Sequence, residues 1–183
     1  MKITETNIAD LLIFEPKIHG DSRGYFFESF NNENFIAKGL NFRFIQDNEA
    51  KSQRGVLRGL HFQNPPYAQT KLIRVIQGEI LDVVVDLRRN SLSYGQSFSI
   101  VLDENNKKQL LVPKGFAHAY VVLSNEAIVA YKVDEKYMPS YEDGILWNDP
   151  SLLIDWKIDE KDIILSDKDK TLKKFNELNS PFI

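Results

Sequence analysis

The stretch TKLIRVIQGEILDVVVDLR, residues 70–88, decides the fold class. Its second half alternates between two faces, one with Leu81, Val83, Val85 and Leu87 and the other with Ile80, Asp82, Val84 and Asp86. A period of two residues is typical of a β-strand, and the QGE turn at residues 77–79 separates this strand from a second apolar run, TKLIRVI. We therefore predict two strands joined as a hairpin.

The same scheme recurs twice further along the chain. SFSIVLD (97–103) and QLLVP (109–113) flank a polar ENNKK turn, and AHAYVVLS (117–124) is followed by NEAIVAYKVD (125–134). Short strands at this spacing, separated by turn residues, indicate an antiparallel sandwich or barrel. The prediction is an all-β fold in which each of the three pairs is a hairpin.

The flanking segments differ from this pattern. NENFIAKGL (32–40) predicts a helical turn ending at Gly39, and SDKDKTLKKFNEL (166–178) predicts a surface helix capped by Ser166 or Asp167. EDGILWNDPSLLIDW (142–156) should be an ordered loop held by its aromatic residues. No linker or repeat divides the chain, so we expect one domain over residues 1–183, with short peripheral helices and a C-terminal helical segment.

Composition excludes several classes of protein. The net charge is −3, 43% of residues are hydrophobic and 27% are charged, which disfavours disorder, membrane insertion and nucleic-acid binding. There is no cysteine and therefore no disulfide framework or thiolate nucleophile. The N-terminus lacks a long apolar segment, so we expect a cytoplasmic protein without nucleic-acid or membrane partners. A local basic cluster, formed by Arg54, Arg58, Lys71 and Arg74, could still bind a phosphorylated small molecule.

RGVLRGLHFQNPP, residues 54–66, places a histidine in a strand-like run. In a regular strand Arg58 and His61 would point to opposite faces, so they can share a site only if the strand is bulged, and Gly59 permits a bulge. The alternative is a half-buried strand in which His61 hydrogen-bonds to a carboxylate.

Pro113, Gly115 and His118 have the spacing of the PxGxxH segment of the cupin family. Metal-binding cupins also carry an HxH pair and a glutamate, whereas this chain has His61, Phe62 and Gln63 there, and His19 lies in a turn-like segment. We therefore predict no metal.

A histidine without a metal can act as a general base on a carbon acid beside a carbonyl. Lys71 could stabilise the resulting enolate. Tyr131 could return a proton from the opposite face, although its strand context alone fits a packed core aromatic.

Several long segments, in order, resemble the dTDP-4-dehydrorhamnose 3,5-epimerase family of cupin-fold enzymes over essentially the whole chain. They are FEPKIHGDSRGYFFESF, FIQDNEAKSQRGVLRGLHFQ, KLIRVIQGEILDVVVDLR, VPKGFAHAYVVLS, YKVDEKYMPSYEDGILWNDP and LSDKD. The resemblance implies a jelly-roll barrel, a homodimer, a dTDP-sugar substrate and a reaction without cofactor: epimerisation at C3 and C5 in dTDP-L-rhamnose biosynthesis.

The resemblance also implies residue roles. His61 would be the base, Tyr131 the acid and Lys71 the enolate-stabilising cation, while Asp169 would orient His61. Asp167 competes with Asp169, because the two differ by only two positions. The substrate-binding positions of the family pattern fall on Arg23, Glu28, Gln46, Asn48, Arg58, His118, Glu142 and Lys168.

Three other functions stay open at this stage. An epimerase acting at C3 alone, or a 3,4-ketoisomerase, would use the same sugar nucleotide. A cupin-like module could bind a sugar nucleotide without catalysis. A metal-dependent oxygenase is disfavoured by the incomplete set of metal ligands.

Overall fold

The computed structural model describes residues 1–183, and most of its regular structure is β-strand. The strands are β1 (Lys2–Glu5), β2 (Leu12–Glu15), β3 (His19–Asp21), β4 (Gly24–Phe26), β5 (Gln46–Gln53), β6 (Leu57–Gln63), β7 (Lys71–Gln77), β8 (Glu79–Asp86), β9 (Ser97–Asp103), β10 (Gln109–Val112), β11 (Phe116–Val122), β12 (Glu126–Val133) and β13 (Glu142–Gly144). One short helix, α1 (Asn32–Ile36), and five 3₁₀ helices (Pro139–Tyr141, Pro150–Leu152, Glu160–Asp162, Asp169–Thr171 and Phe175–Glu177) complete the list.

Two antiparallel sheets face each other, which confirms the all-β prediction. The first has six strands in the order β1-β2-β10-β7-β12-β5, and the second has five in the order β13-β6-β11-β8-β9. β3 and β4 form a separate two-stranded hairpin. None of the helices has the length and apolar composition needed to cross a bilayer.

The three predicted hairpins are wrong, although all six strands exist. β7 pairs with β10 and β12, whereas β8 pairs with β11 and β9 in the other sheet. β9 and β10, and likewise β11 and β12, also lie in different sheets. The turns between them are therefore corners at which the chain crosses the sandwich.

The corner at Gly78 shows why glycine is required there. Its φ is +79°, and an added Cβ would lie 2.2 Å from the carbonyl oxygen of Glu126. The alternation pattern predicts a strand but does not choose its partner. Because β8 is buried on both faces, it fits an interior position, between β11 and β9, in a sheet that is covered on both sides.

Three apolar clusters hold the layers together. The interior between the sheets contains Ile73, Val75, Ile80, Val84, Leu102, Leu110 and Val129 among others. The C-terminal segment covers the outer face of the five-stranded sheet, and α1 covers part of the outer face of the six-stranded sheet through Phe35, which stacks on Phe14 at 4.7 Å. Burial of this apolar surface is the main stabilising contribution.

The predicted helical turn near residue 35 is confirmed. The Asn31 side chain caps α1 by accepting hydrogen bonds from the backbone amides of Glu33 and Asn34, and Gly39 follows at φ +79°. The predicted loop at 142–156 begins as β13 and contains the 3₁₀ helix Pro150–Leu152, so it is more regular than expected. Its two tryptophans, Trp147 and Trp156, are buried, as expected of aromatic anchors.

The prediction of a continuous surface helix at 166–178 is wrong. The segment contains only two short 3₁₀ helices, at Asp169–Thr171 and Phe175–Glu177. Neither predicted cap residue holds the N-cap position of the first of them, which is Lys168, although Ser166 Oγ accepts a hydrogen bond from the Asp169 amide at 3.1 Å. Between them Lys173 makes a β-bridge with Ile145, so the chain lies extended against the sheet instead of coiling away from it.

Candidate active site

A cavity opens between the two sheets in two adjoining compartments, with volumes of about 340 and 410 Å³. His61, Lys71 and Tyr131 line both compartments. Ten of the twelve site residues predicted from the sequence line one or both: Gln46, Asn48, Arg58, His61, Lys71, His118, Tyr131, Glu142, Lys168 and Asp169.

The predicted bulge in β6 is confirmed, and it aims His61 into this cavity. His61 lies opposite His118 on β11, and Arg58 lies opposite Tyr120, so two residues of β6 face the single residue Ala119. Arg58 and His61 therefore both line the cavity, while Leu57, Leu60 and Phe62 pack into the outer core.

Gly59 makes this bulge sterically feasible. Its φ is +121°, and a Cβ at this position would lie 2.4 Å from the carbonyl oxygen of His118. An L-residue with a side chain would be strained in this conformation as well as clashing with β11.

Asp169 holds one nitrogen of the His61 ring. The distance between His61 Nε2 and Asp169 Oδ1 is 2.5 Å. Burial alone would raise the pKa of the Asp169 carboxyl, but the hydrogen bond from His61 and its charge bring that pKa below its ordinary value. Asp167, the rival candidate, is exposed and pairs with Lys170.

The other nitrogen of His61 is free to act on a ligand. Its Nδ1 lies 3.9 Å from Glu142 Oε1, which is too long for a hydrogen bond. Glu142 is engaged elsewhere, because it accepts hydrogen bonds from the Tyr137 hydroxyl at 2.7 Å and from the Lys168 ammonium group. These bonds outweigh the effect of burial and lower the pKa of Glu142.

Lys71, the first residue of β7, supplies a cation to the cavity. It forms no salt bridge, and burial lowers its pKa to about 8, with the charges of Glu142 and Asp82 acting in the opposite direction. A desolvated ammonium group without a partner is well suited to stabilise an oxyanion that forms next to it.

Tyr131 approaches the cavity from the wall opposite His61. It lies on β12 of the six-stranded sheet, where it pairs with Ile73 and Asn48, whereas His61 lies on the five-stranded sheet. Burial raises the pKa of Tyr131, and the nearby Arg58 acts in the opposite direction. At neutral pH its hydroxyl is therefore protonated and able to donate.

The remaining predicted residues in the cavity are polar and mutually ordered. Gln46 and Asn48 project from the same face of β5, and the Gln46 amide donates to Asn48 Oδ1 at 2.8 Å. Arg58 Nε donates to Ser52 Oγ at 3.2 Å. His118 is fixed by Asp82, whose Oδ2 lies 2.9 Å from its Nε2.

Two predicted residues do not reach the cavity of a single chain. Arg23 is at the β3–β4 turn, has 88% of its side chain exposed and pairs with Asp21 at 2.5 Å. Glu28 accepts hydrogen bonds from the side chains of Asn31 and Asn34 at 2.9 and 2.8 Å. Neither residue lines either compartment.

Two residues of the site, Asp82 and Tyr137, were not predicted from the sequence. Asp82 is fully buried, and a carboxylate in the middle of the apolar run ILDVVVD was a usable signal for a buried partner. No sequence signal distinguished Tyr137 from other exposed tyrosines. No group of three or more His, Cys, Asp or Glu side chains is arranged to hold a metal ion.

The arrangement fits proton transfer at carbon. A histidine held by a carboxylate faces a protonated tyrosine across the cavity, with an ammonium group beside both. Such a site can remove a proton from one face of a substrate and return one to the other.

Comparison with known proteins agrees with this chemistry. A family model described as dTDP-4-dehydrorhamnose 3,5-epimerase matches residues 5–177. The chain is 48% identical over 177 residues to the dTDP-4-dehydrorhamnose 3,5-epimerase of Methanothermobacter thermautotrophicus, covering 96% of this chain and 95% of that protein.

Two solved structures extend the similarity to the fold. The crystal structure of dTDP-4-dehydrorhamnose 3,5-epimerase from Elizabethkingia anophelis NUHP1 superposes with a TM-score of 0.93 at 46% identity, covering 98% of each chain. The enzyme RmlC from Legionella pneumophila Philadelphia 1, in complex with dTDP-4-keto-L-rhamnose, gives a TM-score of 0.93 at 45% identity, covering 97% of this chain and 94% of that one. The cupin-type fold is thereby confirmed.

Proposed function

The chain belongs to the dTDP-4-dehydrorhamnose 3,5-epimerase family, and we propose that the cavity lined by His61, Lys71 and Tyr131 is its active site. It is an isomerase that inverts C3 and C5 of dTDP-4-keto-6-deoxy-D-glucose to give dTDP-4-keto-L-rhamnose, in dTDP-L-rhamnose biosynthesis. The observation that supports the site best is the placement of a base and an acid on opposite walls.

The first step is removal of a proton from carbon. The C4 ketone acidifies the hydrogens on C3 and C5, because the resulting carbanion is delocalised as an enolate. His61 Nδ1, which has no hydrogen-bond partner in the protein, accepts that proton. Asp169 stabilises the imidazolium that forms, through its contact with Nε2.

Lys71 acts on the developing negative charge at the C4 oxygen. Its ammonium group is desolvated and unpaired, so its interaction with an enolate is stronger than it would be in water. This contribution arises only as charge develops and therefore accelerates the reaction instead of only tightening binding.

Tyr131 completes the inversion. Its hydroxyl donates a proton to the same carbon from the opposite face, which leaves a phenolate on Tyr131 and an imidazolium on His61. Before the second carbon reacts, the imidazolium releases its proton to solvent and the phenolate takes one up from solvent, which resets both groups. One pair of residues then serves both centres, since both carbons adjoin the same ketone.

The nucleotide part of the substrate is assigned to the polar residues of the cavity. Arg58 offers a forked guanidinium suited to a diphosphate, and Gln46 and Asn48 present amide groups that can read a thymine edge. His118 and Lys168 contribute further donors, and Glu142 orders Lys168 and Tyr137 at the site.

A homodimer is part of the proposal. Arg23 and Glu28 belong to the family's binding pattern, yet they are remote from the cavity in one chain. Beside them Tyr25 and Phe26 are 60% and 71% exposed. A second copy that covered these rings could receive the β3–β4 hairpin at its own cavity. Sedimentation of the purified protein tests this stoichiometry.

The single-domain organisation and the cytoplasmic location stay predictions. One folding unit is supported by β1 and β2, which extend the six-stranded sheet, and by the C-terminal segment, which covers the five-stranded one. Location is tested by cell fractionation with an antibody to the protein.

The decisive experiment measures deuterium incorporation into the sugar. Pure enzyme and dTDP-4-keto-6-deoxy-D-glucose are incubated in heavy water with a chelator and no nucleotide cofactor, and the label at C3 and C5 is measured by NMR. Label at both carbons is expected with wild type and with the control Tyr94→Phe, whose ring packs on Phe175 outside the cavity. It should be lost in His61→Ala.

Other outcomes would identify the alternatives. Label at C3 alone indicates a C3 epimerase or a ketoisomerase, which are distinguished by the final position of the carbonyl. An absence of label, with dTDP still bound, leaves the non-catalytic binding module. Activity that disappears with the chelator would contradict the prediction of a metal-free reaction.

A further inference from the structure

The hydroxyl of Tyr120 is buried and has no hydrogen-bond partner. Only 4% of the residue is exposed, and the Thr4 hydroxyl is the one other buried side-chain oxygen or nitrogen in this condition. Most buried polar groups in native proteins are paired, so an unpaired one that lines a cavity indicates a missing partner. Tyr120 lines the same compartment as His61 and Lys71.

The position of Tyr120 in the sheet places it beside Arg58. The two are opposite each other on β11 and β6, and Asp82 is the partner of Tyr120 on β8. Arg58 forms no salt bridge, and its one side-chain hydrogen bond runs from Nε to Ser52 Oγ. The terminal nitrogens of its guanidinium group are therefore free to bind a ligand.

The hydroxyl of Tyr120 is a donor at physiological pH. Burial raises the pKa of Tyr120, and the charge of Arg58 and the neighbouring Ser52 hydroxyl lower it by less. Ser52 Oγ accepts its hydrogen bond from Arg58 Nε and does not have hydrogen-bonding geometry toward the Tyr120 hydroxyl. The cavity thus holds two hydrogen-bond donors side by side, the guanidinium group of Arg58 and the neutral hydroxyl of Tyr120. Both are donors without acceptors, which is the arrangement that an anion with several oxygens satisfies.

We propose that Tyr120 is a substrate-binding residue whose hydroxyl donates a hydrogen bond to the diphosphate held by Arg58. This inference rests on the proposed function, which supplies the nucleotide diphosphate. No other group of the protein accepts a hydrogen bond from this hydroxyl, and the diphosphate oxygen provides its acceptor when the nucleotide binds.

The test is Tyr120→Phe, which keeps the ring in the core and removes only the hydroxyl. Calorimetry measures the Kd for dTDP and for thymidine, which lacks the diphosphate. A hydrogen bond to a charged acceptor corresponds to a loss of about 10- to 100-fold in dTDP affinity. Thymidine affinity should change by less than about twofold. The matched control is Tyr94→Phe, whose ring packs on Phe175 outside the cavity and which should bind dTDP like wild type.

Stability and kinetics supply independent readouts. Because Tyr120→Phe removes an unsatisfied group, the Tm of the ligand-free variant should equal or exceed that of wild type. The KM should rise by the same factor as the Kd, with kcat changed by less than about threefold.

Two results would overturn the inference while leaving the proposed function intact. The first is an unchanged dTDP affinity in Tyr120→Phe. The second is a fall in kcat without a change in Kd, which would assign Tyr120 to proton transfer. Failure of wild type to bind dTDP at all would instead refute the proposed function, and this inference with it.

Discussion

Replacement of Asp169 by Asn tests whether this carboxylate supports the catalytic base. The substitution preserves size and hydrogen-bonding capacity but removes the charge that lies 2.5 Å from His61 Nε2. Because both Asp169 and the Nε2 side of the ring are largely buried, water can replace little of the lost interaction.

The expected loss of kcat in Asp169→Asn can be estimated from the charge that develops on His61. Two unit charges about 4 Å apart attract by about 4 kcal/mol at an effective dielectric constant of about 20. With half to all of the positive charge present in the transition state, Asp169→Asn removes about 2–4 kcal/mol. Each 1.36 kcal/mol is tenfold in rate, so kcat should fall by about 30- to 1,000-fold.

The asparagine amide adds a second effect in the same direction. If its NH₂ group donates to Nε2, the ring proton moves to Nδ1, and the nitrogen that faces the cavity can no longer accept a proton. The binding residues are untouched, so the Kd for dTDP should stay within about twofold of wild type.

The assay is the initial rate of deuterium incorporation at C3, with calorimetry of dTDP binding alongside it. Asp167→Asn is the matched control, because that carboxylate is exposed, pairs with Lys170 and is only two residues away. Retention of more than a third of wild-type turnover by Asp169→Asn would refute the reasoning. So would a comparable loss in the control.

Three further predictions concern the cation, the bulge and the acid. With the pKa of Lys71 at about 8, turnover should decline above about pH 8 as the cation is lost, and Lys71→Arg should move this decline to higher pH in a pH–rate profile. Since that pKa lies below the ordinary 10.5, Lys71 binds more protons in the unfolded chain than in the folded chain between about pH 8 and 10.5. The contribution of Lys71 to the free energy of unfolding should therefore rise from about pH 8 to 10.5, as measured by urea titration. Gly59→Ala should lower the free energy of unfolding by more than about 2 kcal/mol. Gly39→Ala is the control and should lower it by about 1 kcal/mol, because an added Cβ there meets nothing within 4 Å. Equal losses in denaturant unfolding would contradict the steric argument. Tyr131→Phe should still exchange hydrogen at C3, because His61 can return a proton to the face from which it took one, but NMR should detect no inverted product; full epimerisation by this variant would exclude Tyr131 as the acid.

The sequence predicted the strands well because each is decided locally. The alternation in ILDVVVDLR and the turn residues around it require no knowledge of distant segments, and the bulge at Gly59 followed from the need to bring Arg58 and His61 together. Strand pairing was predicted wrongly for a physical reason. A strand that is buried on both faces can lie in either sheet, so Gly78 could be the tip of a hairpin or a corner of the sandwich.

In the candidate site, too, some residues could be predicted from the sequence and others could not. His61 and Tyr131 came from the resemblance, and the structure adds that they belong to opposite walls. The choice between Asp167 and Asp169 depended on which carboxylate the 3₁₀ turn after Ser166 directs inward, which no periodic pattern encodes. Arg23 and Glu28 matched the family pattern although one chain does not bring them to its cavity.

The separation of His61 from Asp169 along the chain has a consequence for the synthesis of the enzyme. They are 108 residues apart, and Asp169 follows β13, the last strand of either sheet. A nascent chain that already contains every strand of both sheets still lacks the partner of its base. Non-local contacts of this kind form late and slowly. Activity should therefore arise only after residue 169 has been synthesised, and a chain terminated between Gly144 and Asp169 should contain every strand of both sheets but turn over substrate inefficiently.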